Sequence, residues 1–376
     1  MKTDSNRTVK IFTPLTLKSK MDPQTPGTPR QRTAFTPITN TYRATSRKNI
    51  FFKPEDCSKP QLKPIKKTAL AIQQLFTPRT RKSTLSPTSD LNDILTCDIS
   101  SYELGKVLGQ GASAVVRLAT HLKNNTQYAI KSYIKEKLKE PHKRKNLRRE
   151  IQIMKILNHP NIVKMHSALK STNHVHIVQD YFKGFSLNYY LKGRVGKRLL
   201  ETEAKYVFKQ IVSAVVYLHR NYIAHRDIKL ENILVDQDLN IKLIDFGFSS
   251  FEEVNSKVFC GTPSYMAPEI VLRKEYLIFP TDVWALGVVL YCLLCGSFPF
   301  RGIGDKDLFR KISEGVKEIP DLVPGEAKRL ILRMLSCNPA KRPSVKEVLN
   351  DEWLGSVDEK EIECGYKLCR SPSIGA

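Results

Sequence analysis

From Tyr102 onward the apolar residues fall into ordered runs. Tyr102 to Leu108, Val115 to Ala119 and Gln127 to Tyr133 are short, β-rich stretches separated by turn residues, and they predict strands. Lys145 to Leu157 follows with Ile151, Met154 and Leu157 three residues apart, which predicts a helix. Farther along, Ala204, Val207, Phe208, Ile211, Val215 and Leu218 recur at three- and four-residue steps, with Thr202 placed as an N-cap. Strands, then a helix, then mostly helical pattern predict an α+β fold with a small first lobe and a larger helical second one. Trp353 is the last strong apolar anchor. Before residue 98 neither period persists, and Pro, Ser, Thr, Lys and Arg dominate. The pattern therefore predicts a disordered arm over 1–98, a globular part over 99–354 and a short polar tail over 355–376.

Composition adds limits. The 376 residues suffice for one large core or two lobes. The longest apolar run, Val283 to Cys295, is short for a bilayer, and the polar N-terminus has no apolar stretch resembling a secretory signal. The eight cysteines are scattered irregularly, without zinc-like spacing. These features predict a soluble protein of the cytoplasm and/or nucleus, with reduced thiols and no membrane span. The formal charge is +24; the arm holds 18 Lys/Arg against 7 Asp/Glu, so +11 resides there and +13 in the remainder. The basic run Lys143, Arg144, Lys145, Arg148 and Arg149 is either a solvated helical face or a docking patch for an acidic partner. It lacks the interleaved aromatics of a nucleic-acid surface, so nucleic acid is not an expected partner.

Within the arm, Phe12-Thr13-Pro14, Phe35-Thr36-Pro37 and Phe76-Thr77-Pro78 repeat one unit. An aromatic before Thr-Pro suits docking of a regulatory partner or modification by a proline-directed kinase, and biased composition accounts for it equally.

The chemistry-bearing residues lie in the globular part. The turn Leu108-Gly109-Gln110-Gly111 sits between two predicted strands, where small residues let backbone N–H groups approach phosphate; a tight hairpin explains the same residues. Ala129-Ile130-Lys131 lies on the third strand and Glu150 on the inner face of the next helix. His225-Arg226-Asp227-Ile228-Lys229-Leu230-Glu231-Asn232 precedes Asp245-Phe246-Gly247, the second aspartate lying 18 positions after the first. In this order and spacing the set resembles the protein kinase family over residues 102–354.

The resemblance implies a two-lobed kinase fold, with an N-lobe over 99–180 and a C-lobe over 183–354, acting on protein substrates with ATP and Mg²⁺. It implies that Asp227 accepts the substrate hydroxyl proton, Lys229 steadies the transferring phosphate, and Glu150 holds Lys131 on the α- and β-phosphates. Asn232 and Asp245 would be the metal ligands. The backbones of Asp180 and Phe182 would bind adenine between Leu108, Val116, Ala129 and Leu234, with Gln179 guarding the back pocket. Met154, Met165, His225 and Phe246 would form a hydrophobic column. Glu269, at the end of Cys260 to Glu269, would pair with Arg342, and Asp282 would brace the catalytic loop. Lys229 and Gly261-Thr262-Pro263 resemble serine/threonine kinases, and Phe248 those that prefer serine. The wider set is similar to the calcium/calmodulin-dependent kinase group and its AMP-activated-kinase-related members. A monomer is expected.

Some residues depart from the family pattern. Ala114 replaces the third glycine of the phosphate loop, which keeps the loop small. Gly184-Phe185 replaces Gly-Gly, and Ser186 stands where many basophilic relatives carry an acid, leaving Glu231 to read a basic residue upstream of the phosphoacceptor. Val258 stands where related kinases carry a threonine whose phosphate pairs with the residue matching Arg226. Ser256 or a nearby serine, standing charge from Glu252 and Glu253, or packing alone are the alternatives. Against an active kinase stands a nucleotide-binding pseudokinase or scaffold whose basic arm recruits partners. Retention of Lys131, Asp227, Asn232 and Asp245 favours the enzyme.

Overall fold

A computed structural model describes residues 95–111, 114–251 and 256–355. These residues belong to the second of two units into which the chain divides, Ser83–Ala376; the first is Met1–Lys82. The three Phe-Thr-Pro units, Ala112, Ser113, Glu252, Glu253 and the tail beyond Gly355 lie outside the described residues.

The small lobe is built on a six-stranded sheet. Its strands are β1 (Thr96–Asp98), β2 (Tyr102–Gln110), β3 (Ala114–His121), β4 (Gln127–Ile134), β5 (Met165–Lys170) and β6 (His174–Asp180), in the order β1-β5-β6-β4-β3-β2. All pairings are antiparallel except β1 with β5. Alternation along the strands gives the sheet two apolar faces. Ala119, Ile130, Leu169 and Val178 cluster on one of them, with Ile99, Tyr102 and Tyr128 packed against them. On the main core sits helix α1 (Pro141–Ile156), burying Leu147, Glu150, Ile151, Ile153 and Met154 at helical spacing. It starts four residues before the predicted Lys145, because Pro141 occupies the first helical position, where its missing N–H costs nothing.

Residues 95–98, assigned to the arm expected over 1–98, are among the described ones. Thr96–Asp98 pairs in parallel with β5, and Leu95 packs against the main core. A three-residue strand has too little length to show a period, so the sequence pattern conceals it.

The large lobe is mainly helical. After β7 (Phe185–Ser186) come α2 (Leu187–Lys192) and α3 (Glu201–Arg220). Thr202, the expected N-cap, instead lies within the first turn of α3. The Glu203 carboxylate accepts the Leu200 N–H at 2.9 Å, so the N-cap lies two residues earlier, at Leu200. Strands β8 (Ile223–Ala224), β9 (Ile233–Val235), β10 (Ile241–Leu243) and β11 (Ser250–Phe251) flank the loop from His225 to Asn232, in the orders β10-β9-β7 and β11-β8. Then follow α4 (Pro268–Val271), α5 (Ile278–Cys295), α6 (Gly304–Glu314), α7 (Gly325–Met334), α8 (Val345–Leu349) and α9 (Glu352–Gly355).

Helix α5 is the axis of this lobe. By length and composition its 18 residues could cross a membrane, five more than the apolar run read from the sequence, but 83 % of it is buried in the fold. Trp284 on α5 stacks on Phe300 with centroids 5.6 Å apart, and the Arg342 guanidinium lies 5.0 Å from the Trp284 ring. Arg342 also grips Glu269 with two bonds of 2.7 and 2.8 Å, both partners buried. This ion pair fixes the first turn of α4 to the chain before α8.

A chain starting at residue 95 should be more stable than one starting at residue 99. Losing β1 and Leu95 should lower Tm by about 2–4 °C, the shift that one kcal/mol produces in a domain of this size. Equal melting curves would mean that β1 adds nothing to the sheet.

Candidate active site

The small-lobe side of the site is a row of cross-strand neighbours. Gly109 pairs with Val116, Val116 with Lys131, and Lys131 with Ile177; one step along, Ala129 pairs with Gln179. Among the described residues, a Cβ at Gly109 would meet nothing within 4 Å, and one at Gly111 only the Ala114 carbonyl at 3.8 Å, so both glycines leave room for a polyphosphate there. Leu108 is 40 % exposed, and Val116 and Ala129 are half-buried, leaving apolar surface for a flat ring.

Lys131 joins the two lobes. Its Nζ lies 2.8 Å from Glu150 Oε1 and 2.7 Å from Asp245 Oδ1. Burial opposes the charge on Lys131, but Glu150, Tyr133 and Asp245 hold its pKa well above the ordinary value. Burial also opposes ionisation of Asp245, and the Lys131 charge together with the Gly247 N–H more than offsets this, so its pKa is lowered. Both groups are charged at neutral pH. The Tyr133 hydroxyl donates to the other Glu150 oxygen at 2.7 Å, so Glu150 is fixed from two sides.

The large-lobe side is the loop from His225 to Asn232. Asp227, which is 5 % exposed, collects donors: Lys229 Nζ at 2.6 Å, Asn232 Nδ2 at 2.9 Å and the Thr262 hydroxyl at 3.1 Å. Lys229 also reaches Thr262 Oγ1 at 2.9 Å. The loop is held in an unfavourable shape, since Arg226 has φ 66° and Asp245 φ 65°, values few side-chain-bearing residues adopt. Asp282 on α5 accepts the N–H groups of His225 and Arg226 at 2.9 and 2.8 Å, and bonds His219 at 3.0 Å. Burial opposes this charge as well, yet His219, His225 and the Arg226 N–H keep the Asp282 carboxyl below its usual range. A depressed carboxyl contributes its stability above the unfolded pKa and loses it only as pH falls through the folded value. The brace is therefore intact throughout the neutral range.

Phe246 is fully buried and meets the His225 ring edge-on at 5.0 Å. Met154 and Met165 are buried in the same core, and Gln179 Nε2 lies 3.8 Å from Met154 Sδ. Of the expected column, all four members are buried, and the His225–Phe246 contact is formed.

In the hinge, the Asp180 N–H is taken by the Lys164 carbonyl at 3.0 Å, and the Phe182 carbonyl by the Gly184 N–H at 3.0 Å. At Asp180 the backbone carbonyl is therefore the group to offer a ligand. A Cβ at Gly184 would strike the Val235 carbonyl at 2.3 Å, so this position is closed to side chains. Ser186 is the N-cap of α2, its hydroxyl accepting the Tyr189 N–H at 3.2 Å. Leu234 is half-buried beside it, in register with Ser186. Exposed Glu231 accepts Asn188 Nδ2 at 3.0 Å and the Tyr265 hydroxyl at 3.4 Å.

A cation would find hard oxygen donors at this site. Asn232 spends its amide N–H groups on Asp227, leaving its side-chain carbonyl oxygen, and Asp245 retains Oδ2 beside the Oδ1 that meets Lys131. One carboxylate and one amide oxygen suit Mg²⁺, which completes its shell with phosphate and water.

Sequence reading missed three contributors. Tyr133 stands two positions after Lys131 on one strand, so both face the same side, and that spacing was the available signal. Thr262 touches Asp227 from 35 positions away, and the Tyr276 hydroxyl donates to the Val258 carbonyl at 2.6 Å from 18 away. Neither contact leaves a local pattern. Of the substitutes considered for a phosphate near Val258, Ser256 is only 2 % exposed.

The profile of the protein kinase domain matches residues 102–354. Serine/threonine-protein kinase SIK1 of Mus musculus is 41 % identical over 258 residues, 68 % of this chain and 33 % of that protein. Serine/threonine-protein kinase SIK2 of Gallus gallus is 40 % identical over 258 residues, 68 % of this chain and 32 % of that protein. NUAK family SNF1-like kinase 1 of Homo sapiens is 41 % identical over 268 residues, 71 % of this chain and 39 % of that protein. The matched region spans about a third of the length of these relatives. Profile, relatives and site geometry agree, and the chain belongs to the protein kinase family, with its similarity running to the AMP-activated-kinase-related group.

Proposed function

We propose that this chain is a protein serine/threonine kinase that transfers the γ-phosphate of ATP to serine hydroxyls in preference to threonine, on protein segments with a basic residue upstream. The observation that carries this reading is a pair of side-chain clusters whose chain segments are joined where the Ile244 N–H donates to the Asn232 carbonyl at 2.9 Å. Lys131, Glu150 and Asp245 form one, and Asp227, Lys229, Asn232 and Thr262 form the other.

In the transfer, a bond forms between the substrate oxygen and the γ-phosphorus while the bond from that phosphorus to the β-phosphate oxygen breaks. The hydroxyl proton passes to Asp227, and the leaving electron pair stays on ADP. Asp227 orients the hydroxyl, since its two oxygens are already fixed by Asn232 and Thr262. Lys229 extends from this group toward the γ-phosphate oxygens, and Lys131 holds the α- and β-phosphates. Asp245 and the Asn232 carbonyl would hold Mg²⁺, whose chemistry when bound is to neutralise charge on the phosphates. Leu108, Val116, Ala129 and Leu234 cover the adenine faces, and the hinge backbone at Asp180 and Phe182 reads its edge.

Substrate preference rests on Phe248 and Glu231. Phe248 is 45 % exposed directly after Asp245-Phe246-Gly247, and Glu231 is the exposed carboxylate beside the loop. Ser186, committed to capping α2, supplies no charge for an arginine, so Glu231 carries that task.

Purified protein should phosphorylate a serine peptide, and Asp245→Asn should lower kcat by about 10²–10³-fold, the usual loss when one charge-stabilising group is removed. Equal activity in the two proteins would remove Asp245 from metal binding, and ATP binding without turnover in the natural protein would favour a scaffold. In a positional peptide library, serine should be selected over threonine and Arg or Lys upstream. Glu231→Gln should weaken the basic selection about tenfold, the value of a charge-assisted hydrogen bond. A library with no basic selection would contradict the role of Glu231.

A further inference from the structure

The chain from Ser256 to Thr262 is fastened residue by residue to the large lobe. Ser256 and Tyr276 exchange backbone hydrogen bonds of 2.9 and 3.0 Å, forming an antiparallel bridge. Lys257 meets Glu275 at 2.6 Å. The Val258 N–H donates to Ser256 Oγ at 3.3 Å, and its carbonyl accepts the Tyr276 hydroxyl at 2.6 Å. The Phe259 ring has the Arg273 guanidinium at 4.5 Å and the Phe309 ring at 6.2 Å. Arg226 donates to Cys260 Sγ at 2.9 Å and to Ser250 Oγ at 3.0 Å. Gly261 turns with φ 111°, and Thr262 then reaches Asp227.

This ladder leads from one phenol to the reacting carboxylate. Tyr276 is 6 % exposed, and burial raises its pKa, so its hydroxyl is a protonated donor at physiological pH. Four positions separate Val258 from Thr262, too few for the segment to slip at one end without moving the other. The same contacts leave no place for phosphate. Val258 has no hydroxyl, and the Ser256 oxygen is buried, accepts the Val258 N–H and adjoins the bridge. A dianion there would sit desolvated and break the pairing with Tyr276.

We propose that Tyr276 is a positioning residue for phosphoryl transfer. Its hydroxyl sets the register of Val258 to Thr262, and so the place of Thr262 against Asp227, in a segment that carries no phosphate. The proposal rests on the kinase reading above, and it adds that the segment orders by packing and hydrogen bonding alone.

The test uses the full chain made in bacteria, treated with phosphatase and shown by mass spectrometry to carry no phosphate on Ser256 or Ser264, beside Tyr276→Phe treated alike. Phenylalanine keeps the buried ring, and matching melting curves establish that both fold. The unmodified natural protein should turn over peptide. Tyr276→Phe should lose about 5- to 10-fold in kcat/KM for peptide, the loss expected of one hydrogen bond, with the KM for ATP unchanged. Backbone amides over 258–262 should exchange hydrogen faster in the variant, a readout independent of catalysis. The proposal is overturned by dependence of activity on phosphorylation of Ser256, or by a variant with unchanged exchange over 258–262. Absence of turnover in both phosphorylated and unphosphorylated natural protein would instead defeat the kinase reading, and the exchange comparison would still decide the role of Tyr276.

Discussion

One buried carboxylate supports the active arrangement. Asp282 takes the N–H groups of His225 and Arg226 and thereby holds Arg226 at a positive φ that its side chain disfavours by about 1–3 kcal/mol. That turn aims Asp227 at the cleft and sends the Arg226 side chain the other way, to Ser250 and Cys260. The loop is therefore set from α5, and Arg226 links it to Cys260 in the segment that Tyr276 fastens. Helix α5 can serve as the anchor because it is buried on nearly every side, and because Trp284, Phe300, Arg342 and Glu269 lock its surroundings. A charge inside such a core is tolerated only when its hydrogen bonds are complete, and Asp282 meets that condition with three donors.

The small lobe solves a similar problem with charge balance. Lys131 stands between Glu150 and Asp245, so a cation from one lobe is shared by a carboxylate from each. Tyr133 holds the second Glu150 oxygen, so this carboxylate is fixed independently of Lys131. The site is thus held in place before any ligand enters, which is the condition under which fixed charges lower a barrier most effectively.

Much of this was legible in the sequence because the chemistry is concentrated in short segments. Lys131, Glu150, Asp227, Lys229, Asn232 and Asp245 each sit in a recognisable run, and the structure gathers them into two clusters, Lys131 with Glu150 and Asp245, and Asp227 with Lys229 and Asn232. The less legible parts share physical causes. Thr96–Asp98 is too short for periodicity, and α5 has no polar face to mark its true ends, so the apolar run from Val283 understated it. Thr202 looked like a cap, but Glu203 could reach the Leu200 N–H from within the helix. Thr262 and Tyr276 act through contacts that only the folded chain creates. The Val258 departure was visible in the sequence, whereas the hydroxyl that secures its carbonyl was not.

The central claim is that Asp282 holds the transfer geometry without touching ATP or substrate. Single-turnover kinetics of Asp282→Asn at saturating ATP and peptide, with ATP affinity measured in parallel, tests it most directly. The account predicts a fall in the transfer rate of about 10²-fold, the cost of a small misplacement of the reacting groups, with ATP affinity retained. Transfer at the natural rate in a folded Asp282→Asn protein would contradict it.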